Sequence, residues 1–214
     1  MIKHIWFVLC AGVLLLTSCS DEKKEENNEQ NESSEDQEDP NKEIEYVLVP
    51  EESTLLWKGT EKDHADDYHM GPISFASGTA LERGGKLVSG KAELDIRSIK
   101  ATDLADKPDK NDRLIGHLLN EDFFAEDSVT LNNPTVELLH MNESGDVAHI
   151  ALRVRGMMAE FDVPVTVSKE DGRLMISASE FGIDFMPFEI PYFLEGNMEE
   201  SVQFSDLLLM FKPA

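Results

Sequence analysis

Thiols are almost missing from this chain of 214 residues, which has two cysteines, Cys10 and Cys19. Cys10 lies inside an apolar run near the N-terminus, so the fold is expected to form without internal disulfides and to work without a thiol nucleophile. Positive charge is scarce as well: 19 Lys and Arg stand against 43 Asp and Glu, a formal net charge of −24. A chain this acidic repels phosphate backbones and anionic lipid surfaces, which argues against nucleic acid as a partner. Long apolar runs are missing too. The longest, residues 5–16, holds about twelve residues, where a membrane-spanning helix needs about twenty. The sequence also lacks a Gly-x-Ser-x-Gly elbow and a Gly-rich phosphate loop, the signals of common hydrolase and nucleotide chemistry. These absences point to a binding module rather than an enzyme, with no cofactor and no metal centre.

What is present begins with an export pattern. Lys3 precedes the apolar run, as in a signal segment. Leu16-Thr17-Ser18-Cys19 resembles the lipobox of bacterial lipoproteins. That resemblance implies removal of residues 1–18, a diacylglyceryl group on the Cys19 sulfur and a further acyl chain on its amine. Two or more chains anchor firmly where one anchors marginally. Residues 20–45 carry twelve acidic and three basic side chains, no aromatic residue and one large apolar one, Ile44. Such a segment buries too little to offset its ordering entropy, so residues 19–45 read as a lipidated cysteine followed by a disordered tether. Membrane contact is then expected through the N-terminal lipid alone. Ser20-Asp21-Glu22 with Glu25-Glu26 resembles the acidic export signals of Bacteroidota surface lipoproteins. The expected location is the cell envelope, at the outer membrane, facing either the periplasm or the cell surface.

Residues 46–214 form the remaining domain, enough chain for one core. Its centre is residues 92–124. Ala92, Leu94 and Ile96 alternate with Glu93, Asp95 and Arg97, the period of a half-buried strand. Leu114, Ile115, Leu118 and Leu119 then share one face of a short helix, with Asn111 or Asp112 placed to cap it. Residues 54–58 read as a first strand, and Ile73, Phe75, Ser77, Thr79 and Leu81 share a face of a second. Gly84-Gly85, Gly145 and Gly172 mark turns between further alternating segments, in which Ala148, Ile150, Leu152 and Val154 face one way. A change of phase near Ser205-Asp206 predicts a bulge in the last strand. About eight strands joined by Gly-bearing turns, with one short helix, predict an all-β antiparallel barrel or sandwich. Closure is favoured because a sheet this long would otherwise expose its edges.

Several segments resemble the YceI-like, lipocalin-like family named for polyisoprenoid binding. They are Ser53-Thr54-Leu55-Leu56-Trp57, His69-Met70-Gly71, Ser98-Ile99-Lys100-Ala101-Thr102, the run from His117 to Phe124, Pro134-Thr135-Val136 and Arg155-Gly156. Asn133 departs from the family's aromatic before the proline, and Met157-Met158-Ala159-Glu160 from its usual turn. The resemblance implies an eight-stranded antiparallel lipocalin-like barrel whose apolar channel holds an isoprenoid, quinone or fatty acyl chain. Trp57, Ile73, Phe75, Leu94, Ile96, Phe123, Phe124, Leu152, Phe161, Val163 and Ile176 would line that channel, with His69 near a headgroup. The alternative is a structural or surface-interaction domain whose barrel is filled by these same side chains.

Residues 185–194, aromatic and carrying two prolines, fit neither strand nor helix periodicity. They are read as a lid over the barrel mouth, with Phe188 and Phe193 touching ligand, or as a loop packed on the wall. The His and Asp residues of the loop at 61–69 lack the fixed spacing of metal ligands and read as solvated. His117, with Asp112 and Glu121 nearby in sequence, has no nucleophile to serve. Asp127-Ser128-Val129 matches a short O-glycosylation pattern of Bacteroidota.

Overall fold

The alternation at residues 92–96 belongs to a ladder that runs around the whole molecule. The computed structural model describes residues 41–125 and 129–214, so the signal segment, Cys19, most of the tether and Asp127-Ser128 lie outside the described residues. Eleven strands form one antiparallel sheet. In chain order they are β1 (Glu43–Leu48), β2 (Thr54–Glu61), β3 (His64–Pro72), β4 (Ser74–Arg83), β5 (Lys86–Asp95), β6 (Thr135–Met141), β7 (Val147–Val154), β8 (Met157–Pro164), β9 (Thr166–Glu170), β10 (Arg173–Asp184) and β11 (Ser201–Pro213). Three pairs are halves of one pass of chain. β1 and β2 pair with β11 on either side of a 3-10 turn at Pro50–Glu52. β3 runs into β4 through Ile73, and β8 into β9 through Val165. Counted as passes there are eight, the number expected from the sequence.

The ladder runs β11-β1-β4-β5-β6-β7-β8, while β9 pairs with β10 and β10 with β11. One unbroken segment, β8 and β9, therefore bonds to β7 with its first half and to β10 with its second. The ring is closed by covalent continuity there, as a barrel that hides its edges requires. The remaining seam lies beside β8, where the 3-10 turn Met186–Phe188 packs and Phe188 meets Phe161 at 6.1 Å.

Antiparallel passes put alternate connections at opposite ends. At one end are three tight turns, at Gly84-Gly85, residues 142–146 and Asp171-Gly172. Gly84, Gly85, Asp171 and Gly172 all have positive φ, from 50° to 77°, as two-residue hairpins between right-twisted strands demand. This end is sealed by the buried carboxylate of Glu82, 3.2 Å from Lys169 Nζ. At the other end lie the β2–β3 hairpin and the two long connections, residues 96–134 and 185–200.

Four expectations are corrected, and one phase change is added. Residues 43–45, assigned to the tether by composition, are strand, because their backbone pairs with residues 81–83 and Glu43 holds Arg83 at 2.7 Å. In β4 the ladder shifts register between Phe75 and Ser77; Ser77 and Thr79 are exposed, and Ala80 and Glu82 are buried instead. The helix α1 (Pro108–Leu118) is capped by neither Asn111 nor Asp112. It starts on Pro108, whose fixed φ suits a first turn, and Asn111 instead donates to the Ala101 carbonyl at 2.8 Å. There is also a second, four-residue helix, α2 (Pro191–Leu194). Last, β10 changes phase together with β11: Ala178 pairs with Leu207, but Phe181 pairs with Phe204. The predicted bulge is present where β11 slips against β2, with Asp206 at φ 51°.

Candidate functional site

Residues that alternate inward around this ring do not fill it. They enclose a cavity of about 490 Å³, inside the 300–1,000 Å³ range of small-molecule sites and far beyond the voids of a close-packed core. Its wall is aliphatic and aromatic from Leu87, Met141 and Phe211 at the sealed end to Trp57, Phe123 and Tyr192 below the long connections. Glu61 and Asp67 also line it and are exposed, so the cavity opens to solvent at that end.

The structure brings most of the expected residues together. Trp57, His69, Ile73, Phe75, Leu94, Ile96, Phe123, Phe124, Leu152, Val163, Ile176 and Phe193 all line the cavity. Phe161 and Phe188 do not. Phe161 follows the inward alternation of β8 but is covered by Phe188, and the two close the seam. Phe188, at 1 % exposure, is thus part of the barrel wall rather than of a lid.

A stack of rings climbs one side of the wall. Phe181 and Phe204 lie 5.5 Å apart, Phe204 and Phe185 6.4 Å, Phe185 and Phe193 5.5 Å, and Phe193 and Phe123 6.1 Å. Phe181, Phe185 and Phe204, with Leu207 and Leu209 on β11, were not foreseen as lining residues. The phase change in β10 hides Phe181, because the strand alternates correctly on both sides of the break and a single period misses one half; Phe185 lies beyond the end of β10, where neither period applies. Two apolar sets offset by three residues on consecutive strands, 178 to 181 and 204 to 207, were the available signal.

The polar groups of the cavity gather at its open end. Pairing of Gly59 with His69 beside Trp57 with Gly71 puts His69 on the inward face of β3. His69 Nδ1 lies 2.8 Å from Asp103 Oδ2, and the Met70 N–H donates to Asp103 Oδ1 at 2.9 Å. Burial pushes the Asp103 carboxyl up, but the Met70 N–H and the His69 ring together outweigh it and hold it below the usual carboxylate range. His117, on the last turn of α1, stands edge-on to Phe123 and Tyr192, with ring centroids at 5.1 and 5.0 Å. Its Nε2 is 3.2 Å from Asp122. Burial raises the Tyr192 phenol above its ordinary value, and the carboxylates of Glu61 and Glu195 raise it further. Trp57 Nε1 donates to the Lys100 carbonyl at 3.1 Å, and a Cβ on Gly71 would fall on that same carbonyl. The His-x-Gly segment is therefore a packing joint between β3 and the crossover. Asn133, in the position where the resemblance expects an aromatic, takes the Ile96 N–H at 3.2 Å and donates to Glu93 at 2.8 Å.

No family model matches this chain, and no curated protein does. Solved structures do. A polyisoprenoid binding domain from Saccharophagus degradans, implicated in plant cell wall breakdown, superposes with a TM-score of 0.55 at 14 % identity, covering 80 % of this chain and 99 % of its own. BcnA of Burkholderia cenocepacia gives 0.54 at 15 % identity, covering 77 % and 98 %. The shared property at such identity is the fold, an all-β lipocalin-like barrel with a short helix.

Proposed function

We propose that this chain is a YceI-like binding protein that takes the apolar chain of an isoprenoid, quinone or similar lipid-like amphiphile into its barrel. The observation that carries this reading is the open apolar cavity. Each methylene buried there contributes about 0.8 kcal/mol. Ten of them supply about 8 kcal/mol, comparable with the roughly 4–15 kcal/mol cost of association. The polyisoprenoid-binding function named for one structural neighbour supports the same ligand class. Eleven of the expected residues that line the cavity are the proposed chain contacts, joined by Phe181, Phe185 and Phe204, with His69 at the headgroup end. The role named for that neighbour is binding, which supports sequestration or transport rather than chemistry. The lipobox resemblance adds a lipid anchor at Cys19, and the acidic residues that follow it a place at the outer membrane, facing either the periplasm or the cell surface.

Purification of the intact chain from cells without added lipid, followed by native mass spectrometry and organic extraction, tests the proposal. One equivalent of a prenyl or acyl compound is the expected result. A protein that emerges empty and takes up neither prenyl chains nor quinones would overturn it in favour of a purely structural domain.

A further inference from the structure

The open end of the cavity is built from carboxylates. Glu61 and Asp67 line it directly, and Glu195 lies close enough to act on the Tyr192 phenol. None of the three makes an ion pair among the described residues. The two imidazoles of the rim are already matched, His69 with Asp103 and His117 with Asp122. Lys58 alternates with the inward Trp57 and Gly59 of β2, its Nζ 4.2 Å over the Tyr68 ring. Lys91 also lines the cavity, but at mid-length of β5 rather than at the mouth, and is exposed between Gly90 and Ala92.

The other end cannot take a headgroup. Leu174 and Phe211 are buried there and Glu82 is already engaged by Lys169, so the tail of a bound amphiphile must lie inward and its head among the rim carboxylates. Ionised carboxylates only accept hydrogen bonds, and an anion brought among them in a partly desolvated mouth meets like charge at close range. Resting on the lipid-binding reading, we propose that this cavity selects single-chain amphiphiles with an uncharged, hydrogen-bond-donating headgroup, an alcohol, over the carboxylate or phosphate ester of the same chain. Burial is the larger cause of the raised Tyr192 phenol, and the part added by Glu61 and Glu195 agrees with a negative field at this mouth.

Matched pairs test it. Geranylgeraniol against geranylgeranyl phosphate, and hexadecanol against hexadecanoate, would be titrated into the delipidated intact chain by competition with a fluorescent polyene alcohol. The alcohol is expected to bind at least tenfold more tightly in each pair, with the gap narrowing at high salt as the rim charges are screened. Glu61→Gln with Asp67→Asn, both at exposed positions, should bring the ratio toward one. Equal binding of alcohol and anion, or a ratio unmoved by the double variant, overturns this inference and leaves the lipid-binding reading standing. Failure of all four compounds to bind overturns both.

Discussion

Asp103 shows how much of the mouth rests on one side chain. Its two oxygens take the Met70 N–H and the His69 ring, tying β3 to the 3-10 turn Thr102–Leu104 in the crossover. Because its pKa is held below the ordinary value, the linked stability is present above about pH 4 and is lost as the pH falls through the folded-state value. Asp103→Asn should therefore cost about 1.5 kcal/mol at pH 7, the scale of hydrogen bonds to a charged group. Between pH 7 and pH 3 the difference between the variant and the parent should shrink. Urea midpoints at the two pH values check this; a difference that persists unchanged into acid would show that the carboxylate charge is not what joins the two segments. The sequence pointed to His69 and Gly71 as a motif, but not to Asp103, whose partners are more than thirty residues away and are matched only by folding.

The connection at residues 185–200 divides its aromatics between two tasks. Read as a string, it offers Phe188 and Phe193 as equivalent lid residues. In the folded chain Phe193 lies over the cavity, whereas Phe188 fills the seam between β8 and β10 against Phe161 and Phe185. A seam filler contributes to stability before it contributes to binding. Phe188→Ala should destabilise the chain by about 3–5 kcal/mol, the usual cost of deleting a buried ring. Hydrogen exchange should rise first along β8, whose outer edge lacks a ladder partner there. A loss below about 1 kcal/mol with β8 still protected would contradict the seam role. Periodicity failed on this segment for a physical reason: its backbone follows turns and α2, so neither period 2 nor period 3.6 governs which rings face in.

At the scale of the whole molecule, the hollow interior separates stability from function. Ile176 is half-buried on the cavity wall, so a larger ring there enters open space rather than a packed neighbour. Ile176→Trp should leave stability within about 1 kcal/mol of the parent or raise it, since overpacking costs arise only where no room exists. The same substitution should abolish uptake of a prenyl alcohol. A Trp variant that binds as well as the parent would show that the chain does not occupy this part of the barrel.

Alternation and turn chemistry are local properties, and for that reason the eight passes, the hairpins at Gly84-Gly85 and Asp171-Gly172, the amphipathic α1 and the bulge at Asp206 were all legible in the sequence. Composition likewise marked the acidic character that the rim later uses. What the sequence could not decide is set by pairs distant along the chain. Register against residues 81–83 turned residues 43–45 into strand, and matched phase changes in β10 and β11 aimed Phe181 and Phe204 inward. Above all, whether inward residues meet or leave space between them depends on the diameter of the closed ring. The same alternating apolar residues would suit a filled barrel or a hollow one; the strand passes, their stagger and the covering connections fix the distance across, and here that distance leaves a cavity.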